Sequence, residues 1–383
     1  MGTQKLQKNK ILSNLKNTKS GLMALLTGTA LIIPNQGFSA TDRKITWSGY
    51  VDTQYAFDFN SPANGDRAFT TQPARNNEFN INLGFIEVRS ESTKTRGRFA
   101  LQAGTAVQSN YSSEPTRGSI SGGELSRHIQ EARMGYAVGQ NTWIDAGVFF
   151  AHVGSESWIS KDNLTLTRSL VAEFSPYYLS GIKLTHAWSE RLVLQLLLTN
   201  GWQNMSENNT DKSLGTGIEY SLDKVILVYN TILGNEISGD LNETPRNSEL
   251  RHFHNFIVKS KSLERIEWVV QADVGFQRKP NSSSYSSWWG TTGMARYKLN
   301  ETQKISGRIE HFEDPDQIVL VTGATEALNA TGASIGFDQI LDEDFLWRNE
   351  IRYLSATDSV FPEGTNSTSK ENTTLTTSLA FSF

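Results

Sequence analysis

The chain has 383 residues, no cysteine, 37% hydrophobic and 20% charged residues, a formal net charge of -4 and a mean hydropathy of -0.41. The missing cysteine excludes a disulfide framework, thiolate zinc sites and cysteine catalysis. The weak negative charge argues against a nucleic-acid binder, whose domains are usually basic.

The N-terminus reads as a targeting segment. Residues 1–20 carry Lys5, Lys8, Lys10, Lys16 and Lys19 and no acid, and a run of 13 apolar or small residues follows from Gly21 to Ile33. Pro34 breaks the run and a small-residue exit ends at Ala40. Basic start, short apolar centre and small exit form the pattern of a secretory signal, expected over 1–40. A membrane anchor is the alternative, but such a run spans only about 20 Å as a helix, short of the bilayer core. Removing 1–40 takes away five Lys and no acid, leaving 31 basic against 40 acidic residues, a formal charge of -9.

From Ile45 onward the chain alternates. Ile45, Trp47, Val51, Tyr55, Phe57 and Phe59 share one parity, and Ser48, Asp52, Gln54 and Asp58 share the other. The pattern recurs in Phe99, Leu101, Ala103, Thr105 and Val107, in Leu192, Leu194, Leu196, Leu198 and Trp202, and in Ile266, Trp268, Val270, Ala272, Val274 and Phe276. The spacing predicts strands over 45–59, 79–90, 98–110, 129–138, 143–153, 179–188, 192–203, 213–221, 225–234, 251–260, 265–277, 288–298, 303–313, 327–338, 345–354 and 373–383. Most are longer than the roughly 5–6 residues of an ordinary strand, and they suit a tilted membrane crossing of about 9–11 residues. With one face on lipid and one on water, mean hydropathy stays low. In the second strand Phe79, Ile81, Leu83 and Phe85 share a parity that Ile86 and Val88 leave, which calls for a bulge near Gly84–Ile86.

The gaps between these strands alternate long and short throughout. The short ones are 91–97, 139–142, 189–191, 222–224, 261–264, 299–302 and 339–344; the others, such as 60–78 and 154–178, are long. Short periplasmic turns, long outer loops and an even strand number describe an outer-membrane barrel. The expected fold is therefore all-β: one closed antiparallel transmembrane β-barrel of about 16 strands over 41–383, both ends periplasmic. Trp47, Tyr136, Trp188, Tyr220, Tyr297, Phe345 and Phe383 fall near the short turns, and Phe59, Trp202, Phe276, Trp289 and Tyr353 near the long loops, as two aromatic girdles require. The closing Leu379, Phe381 and terminal Phe383 resemble the C-terminal signature of bacterial outer-membrane barrels, which implies recognition by the barrel-assembly machinery.

Several segments are similar to the OmpL-like putative beta-barrel porin family of Gram-negative bacteria. They are VDTQYAFDFNSPANG (51–65), RNNEFNINLGFIEV (75–88), LQAGT (101–105), NLTLTRSLVAEFSPYYLSGIKLT (163–185) and RIEHFEDPD (308–316). The resemblance implies a pore in the outer membrane, set among lipid and lipopolysaccharide, passing small hydrophilic solutes. It brings no catalytic residue, cofactor or metal with it. A homotrimer follows by analogy with porins alone.

Selectivity in a water-filled barrel comes from charged wall residues and an inward loop. Water-facing parity places Arg98, Glu131, Arg133, Lys183, Arg296, Arg308, Glu310, Arg348, Glu350 and Arg352 on the wall. They read either as a mixed-charge field that tunes passage or as arginine–glutamate ladders that stiffen the wall. The long loop 154–178 carries Glu156, Trp158, Lys161, Asp162 and Arg168. It either folds inward as a constriction, by analogy with porins, or lies over the mouth. His252 and His254 share a strand face without an evident third ligand, so a lumen or girdle role fits better than a metal. No Ser/His/acid or paired-carboxylate motif is visible, so no enzyme is expected. A receptor or adhesin barrel closed to solutes is the alternative reading, and an outer-membrane enzyme a more distant one.

Overall fold

The computed structural model describes residues 43–116, 123–236, 249–261, 265–280, 282–322 and 327–383; the expected leader 1–40 lies outside them. Alternation gives each strand two chemically distinct faces, and a sheet with one apolar face curls until that face is wholly outward or wholly inward. Here it is outward. The strands are β1 (Lys44–Asp58), β2 (Glu78–Glu91), β3 (Thr95–Ala103), β4 (Ile129–Gly139), β5 (Thr142–Phe150), β6 (Tyr178–Ala187), β7 (Leu192–Thr199) and β8 (Ser213–Ser221). They continue as β9 (Val225–Asn235), β10 (Leu250–Ser260), β11 (Ile266–Arg278), β12 (Tyr285–Lys298), β13 (Gln303–Asp314), β14 (Leu328–Asp342) and β15 (Phe345–Ala356). After a small hairpin of β16 (Phe361–Glu363) and β17 (Ser367–Ser369), β18 (Glu371–Ser382) ends the chain.

Strands β1 to β15 and β18 form one closed barrel of sixteen strands, each beside its neighbour in sequence, and β18 returns to pair with β1. The pairing is antiparallel, and the closing register runs from Tyr50 opposite Ser382 to Asp58 opposite Thr374. No described helix is long and apolar enough to cross a membrane. Closure satisfies every ladder group within the sheet, which is what lipid demands. Outward side chains such as Leu196, Leu198, Val270, Ile309, Ile335, Leu375 and Leu379 are exposed, whereas inward ones such as Gln271, Arg308, Glu350 and Thr376 are buried. Every aromatic assigned to the girdle at the short turns is exposed, Trp47 at 70% and Trp188 at 69%.

Four local departures from the sequence reading have physical causes. Strand β3 stops at Ala103, not at 110: Gly104 takes φ +140°, and a Cβ there would lie 2.2 Å from the Asn82 carbonyl oxygen. The chain leaves the sheet and winds into helix α1 (Thr105–Asn110). Val107, expected on the outer face, is therefore buried inside. The bulge in β2 exists but sits at Asn82, where Asp52 pairs with Leu83 and Thr53 with Ile81. Strand β7 ends at Thr199, and Trp202 turns inward against Phe253, ring centroids 5.0 Å apart, in place of joining the outer girdle. Finally, the β16–β17 hairpin inside the last long loop had no periodic signal, because its strands are three residues each.

Candidate functional site: the barrel lumen and its inserted loop

Between β5 and β6 the chain makes its longest outer connection, and residues 151–177 fold into the barrel. Most of them are buried, including Val153, Trp158, Leu164, Thr167, Arg168, Leu170 and Tyr177. The sequence explains why this segment tolerates burial: it mixes small polar residues with aliphatic ones. A buried loop must find partners for its backbone groups, and here inward side chains of the wall supply them.

The loop bonds to the wall on several strands. On one side Gly154 N donates to Asn255 Oδ1 at 3.1 Å and Ser155 N to Gln271 Oε1 at 2.8 Å. Trp158 Nε1 then donates to Gln102 Oε1 of β3 at 2.9 Å. Ser160 meets the Tyr50 hydroxyl at 2.9 Å and donates to Asp52 at 2.8 Å, both on β1. Arg348 of β15 donates to the carbonyl oxygens of Ser160 at 2.5 Å and Asn163 at 3.1 Å, while Asp338 holds its Nε at 2.8 Å. Arg296 of β12 also donates to the Asn163 carbonyl, at 3.1 Å.

A buried quartet anchors the middle of the loop. Arg308 lies 3.1 Å from Glu310 and 2.8 Å from Glu350, and Arg352 lies 2.8 Å from Glu310. The carboxylates spend their remaining capacity on the loop backbone: Thr167 N donates to Glu350 at 2.6 Å and Leu170 N to Glu310 at 2.7 Å. Arg308 in turn donates to the Thr167 carbonyl at 2.6 Å. Helix α2 (Leu170–Glu173) follows, and Glu173 accepts from Thr71 of the first outer loop at 2.7 Å. Buried charges are tolerated when each has a counter-charge, and each member of this set has one.

All ten wall residues named from the sequence lie on inward faces. Arg98 pairs with Glu87 at 2.6 Å and with Glu131, and Arg133 bridges Glu131 and Asp145. The five loop residues lie in the lumen as well. Glu156 accepts from Ser169 N at 3.1 Å, Lys161 donates to Ser382 Oγ at 2.6 Å, and Arg168 stacks on the Tyr177 ring at 3.4 Å. Trp158 packs edge-on against Tyr177 at 5.0 Å, and Asp162 ends the short helical turn Ser160–Asp162.

One expectation is corrected. The inward face does not meet water along its whole height. Towards the outer end Leu197, Ile232, Phe253, Trp288, Phe312 and Leu354 face inward and pack against Leu170 and Val171 of the loop. Trp202 and Phe361 join from other loops. Adjacent Trp288 and Trp289 were the readable sign, since neighbours in a strand take opposite faces. The charged wall candidates did not include Asp52, Asn255 and Gln271, which also face inward and whose partners are in a distant loop. His252 and His254 face outward, and His254 meets the Tyr229 hydroxyl at 2.8 Å. Among the described residues no three candidate metal ligands cluster.

Beside the loop, toward the short-turn end, a small cavity of about 40 Å³ opens to solvent. Its polar lining comes from His152, Lys183, Gln195, Glu219, Asn230 and Lys259.

The family model described as Putative beta-barrel porin-2, OmpL-like, matches residues 44–383. No curated protein sequence matches the chain. Among solved structures, the outer membrane channel DcaP of Acinetobacter baumannii is similar with a TM-score of 0.58 at 10% identity, over 91% of this chain and 99% of that one. OmpT of Vibrio cholerae in its trimer form is similar with a TM-score of 0.56 at 8% identity, over 89% and 99%. An anion-selective porin from Comamonas acidovorans has a TM-score of 0.54 at 10% identity, over 89% and 100%. At these identities the likeness is one of fold.

Proposed function

The chain belongs to the OmpL-like beta-barrel porin-2 family, an outer-membrane channel by that membership, and on this premise we propose that it passes small hydrophilic solutes by passive diffusion. The observation that carries the reading is a closed sixteen-strand barrel whose lumen is crossed by a loop pinned to the wall. Size exclusion is the work of the loop, and selectivity that of the charged groups left beside it. Arg308, Glu310, Arg348, Glu350 and Arg352 then serve as the dock that fixes the constriction. Arg98, Glu131, Arg133 and Lys183 border the route.

No catalysis is part of this reading, and neither cofactor nor metal is needed. Lipid and lipopolysaccharide surround the barrel, the assembly machinery takes up the C-terminal strand at Phe383, and three copies associate as in the trimeric neighbour. Planar-bilayer recording of the purified barrel tests the function. Discrete channel steps are expected; a folded barrel that never conducts overturns the proposal. The dry apolar packing near the outer end favours one second reading, a surface receptor or adhesin closed to solutes. The same recording decides between them.

A further inference from the structure

Among the described residues Lys183 has no direct carboxylate partner, unlike the arginines on the neighbouring strands β2 to β4. Arg96 lies against Asp145, Arg98 against Glu87 and Glu131, Arg133 against Asp145, and Arg89 against Glu87. Lys183, on the inward face of β6, is only 3% exposed. Among the described residues it has neither a hydrogen bond nor an ion pair. Its ammonium rests over the Phe149 ring at 4.6 Å. Asp145 and Glu131 act on it from a distance, but both are already engaged by arginines. Around this wall five cations (Arg89, Arg96, Arg98, Arg133 and Lys183) face three carboxylates (Glu87, Glu131 and Asp145), so two positive charges are unbalanced.

Lys183 also lines the open cavity. Lys259 lines it too, with Glu219 near enough to act on it. A buried ammonium without a counter-charge is expensive, and an aromatic face replaces only part of the lost hydration. The economical solution is an anion entering from the cavity. We infer that Lys183, with Phe149 beneath it and the cavity in front, forms an oxyanion-binding station on the solute route, selecting small carboxylate- or phosphate-bearing solutes. This inference rests on the channel reading and narrows its substrate class. The loop's charged anchors lie on β12, β13 and β15, and the cavity with Lys183 lies on the β6–β10 side.

The test uses the full barrel in a planar bilayer, with inorganic phosphate as the probe. In a KCl gradient the reversal potential should lie on the chloride side, and added phosphate should reduce the current in a saturable way. Lys183→Gln should weaken that block roughly tenfold or more, the scale of losing a charge-assisted hydrogen bond, and move the reversal potential toward potassium. Lys183→Arg should restore both. Lys304→Gln removes the same charge from the wall almost opposite and should leave the block in place. A heat-modifiable band shows that each variant is folded. Conductance that persists with no phosphate block in the native protein, or with a block untouched by Lys183→Gln, overturns the inference and leaves the channel standing. Absence of conductance in all of them overturns the channel reading and the inference with it.

Discussion

At the scale of single residues, packing inside the barrel is close enough for one methylene to matter. Gly275 of β11 stands opposite Trp288 of β12, and a Cβ at Gly275 would lie 2.0 Å from the indole. Gly275→Val should push Trp288 out of the apolar cluster and cost about 1–3 kcal/mol, the usual range for overpacking. The temperature at which the folded band disappears on a detergent gel should fall; an unchanged transition would show that the indole has another place to go. The quartet is the second residue-scale case. Glu310→Ala strips Arg352 of its partner, removes one of two from Arg308, and frees Leu170 N. Removing one member of a buried pair costs about 3–5 kcal/mol. Protease cleavage within 156–173 should rise in this variant and less so in Glu310→Gln. Equal protection of all three proteins would refute the docking role.

At the scale of elements, the loop 151–177 decides how open the barrel is. Replacing 156–173 by a short Gly–Ser segment removes the crossing strap along with the hydrogen bonds from Thr167 and Leu170. The wall does not depend on the loop for its ladder, so the barrel should still form. Single-channel conductance should rise several-fold, and a deletion that leaves conductance unchanged would mean that the constriction lies elsewhere. Helix α1 is a second element with a local cause. Its entry depends on Gly104 at φ +140° with the Asn82 carbonyl beneath it. Beyond it Tyr111 stacks on Tyr178 at 4.4 Å, fastening the second outer loop to the start of β6.

For the whole molecule, the first and last strands meet. Gly49 N donates to the Phe383 carbonyl at 2.9 Å, and Phe383 N to the Gly49 carbonyl at 3.1 Å. The Phe383 ring occupies the space above Gly49, where a Cβ would come within 2.1 Å of it. A sheet that fails to close leaves an unpaired edge, which lipid does not tolerate. Deleting Phe383 should therefore lower the fraction of heat-modifiable barrel recovered from outer membranes, while refolded protein that does form should conduct as before. Full recovery would remove the terminal residue from the closure step.

The charge, composition and period of the sequence determined the architecture. A parity of two, sustained over 10 to 15 residues and broken by alternating long and short gaps, leaves few solutions other than a closed barrel, because each side chain's face follows from its position alone. For the same reason the inward placement of Arg98, Lys183, Arg308 and Glu350 was legible, as were the girdles apart from Trp202. The lumen's contents were not. Periodicity is a local property, whereas the hydrogen bonds of Glu350 to Thr167 and of Asp52 to Ser160 join residues more than a hundred positions apart. Only the tertiary structure decided which charges are spent holding the loop and which, like Lys183, are left facing the cavity. It also showed that Trp288 and Phe253 pack against other side chains at the outer end and do not face water. A strand's pattern states that a side chain points inward; what fills the space it points into depends on the other fifteen strands and their loops.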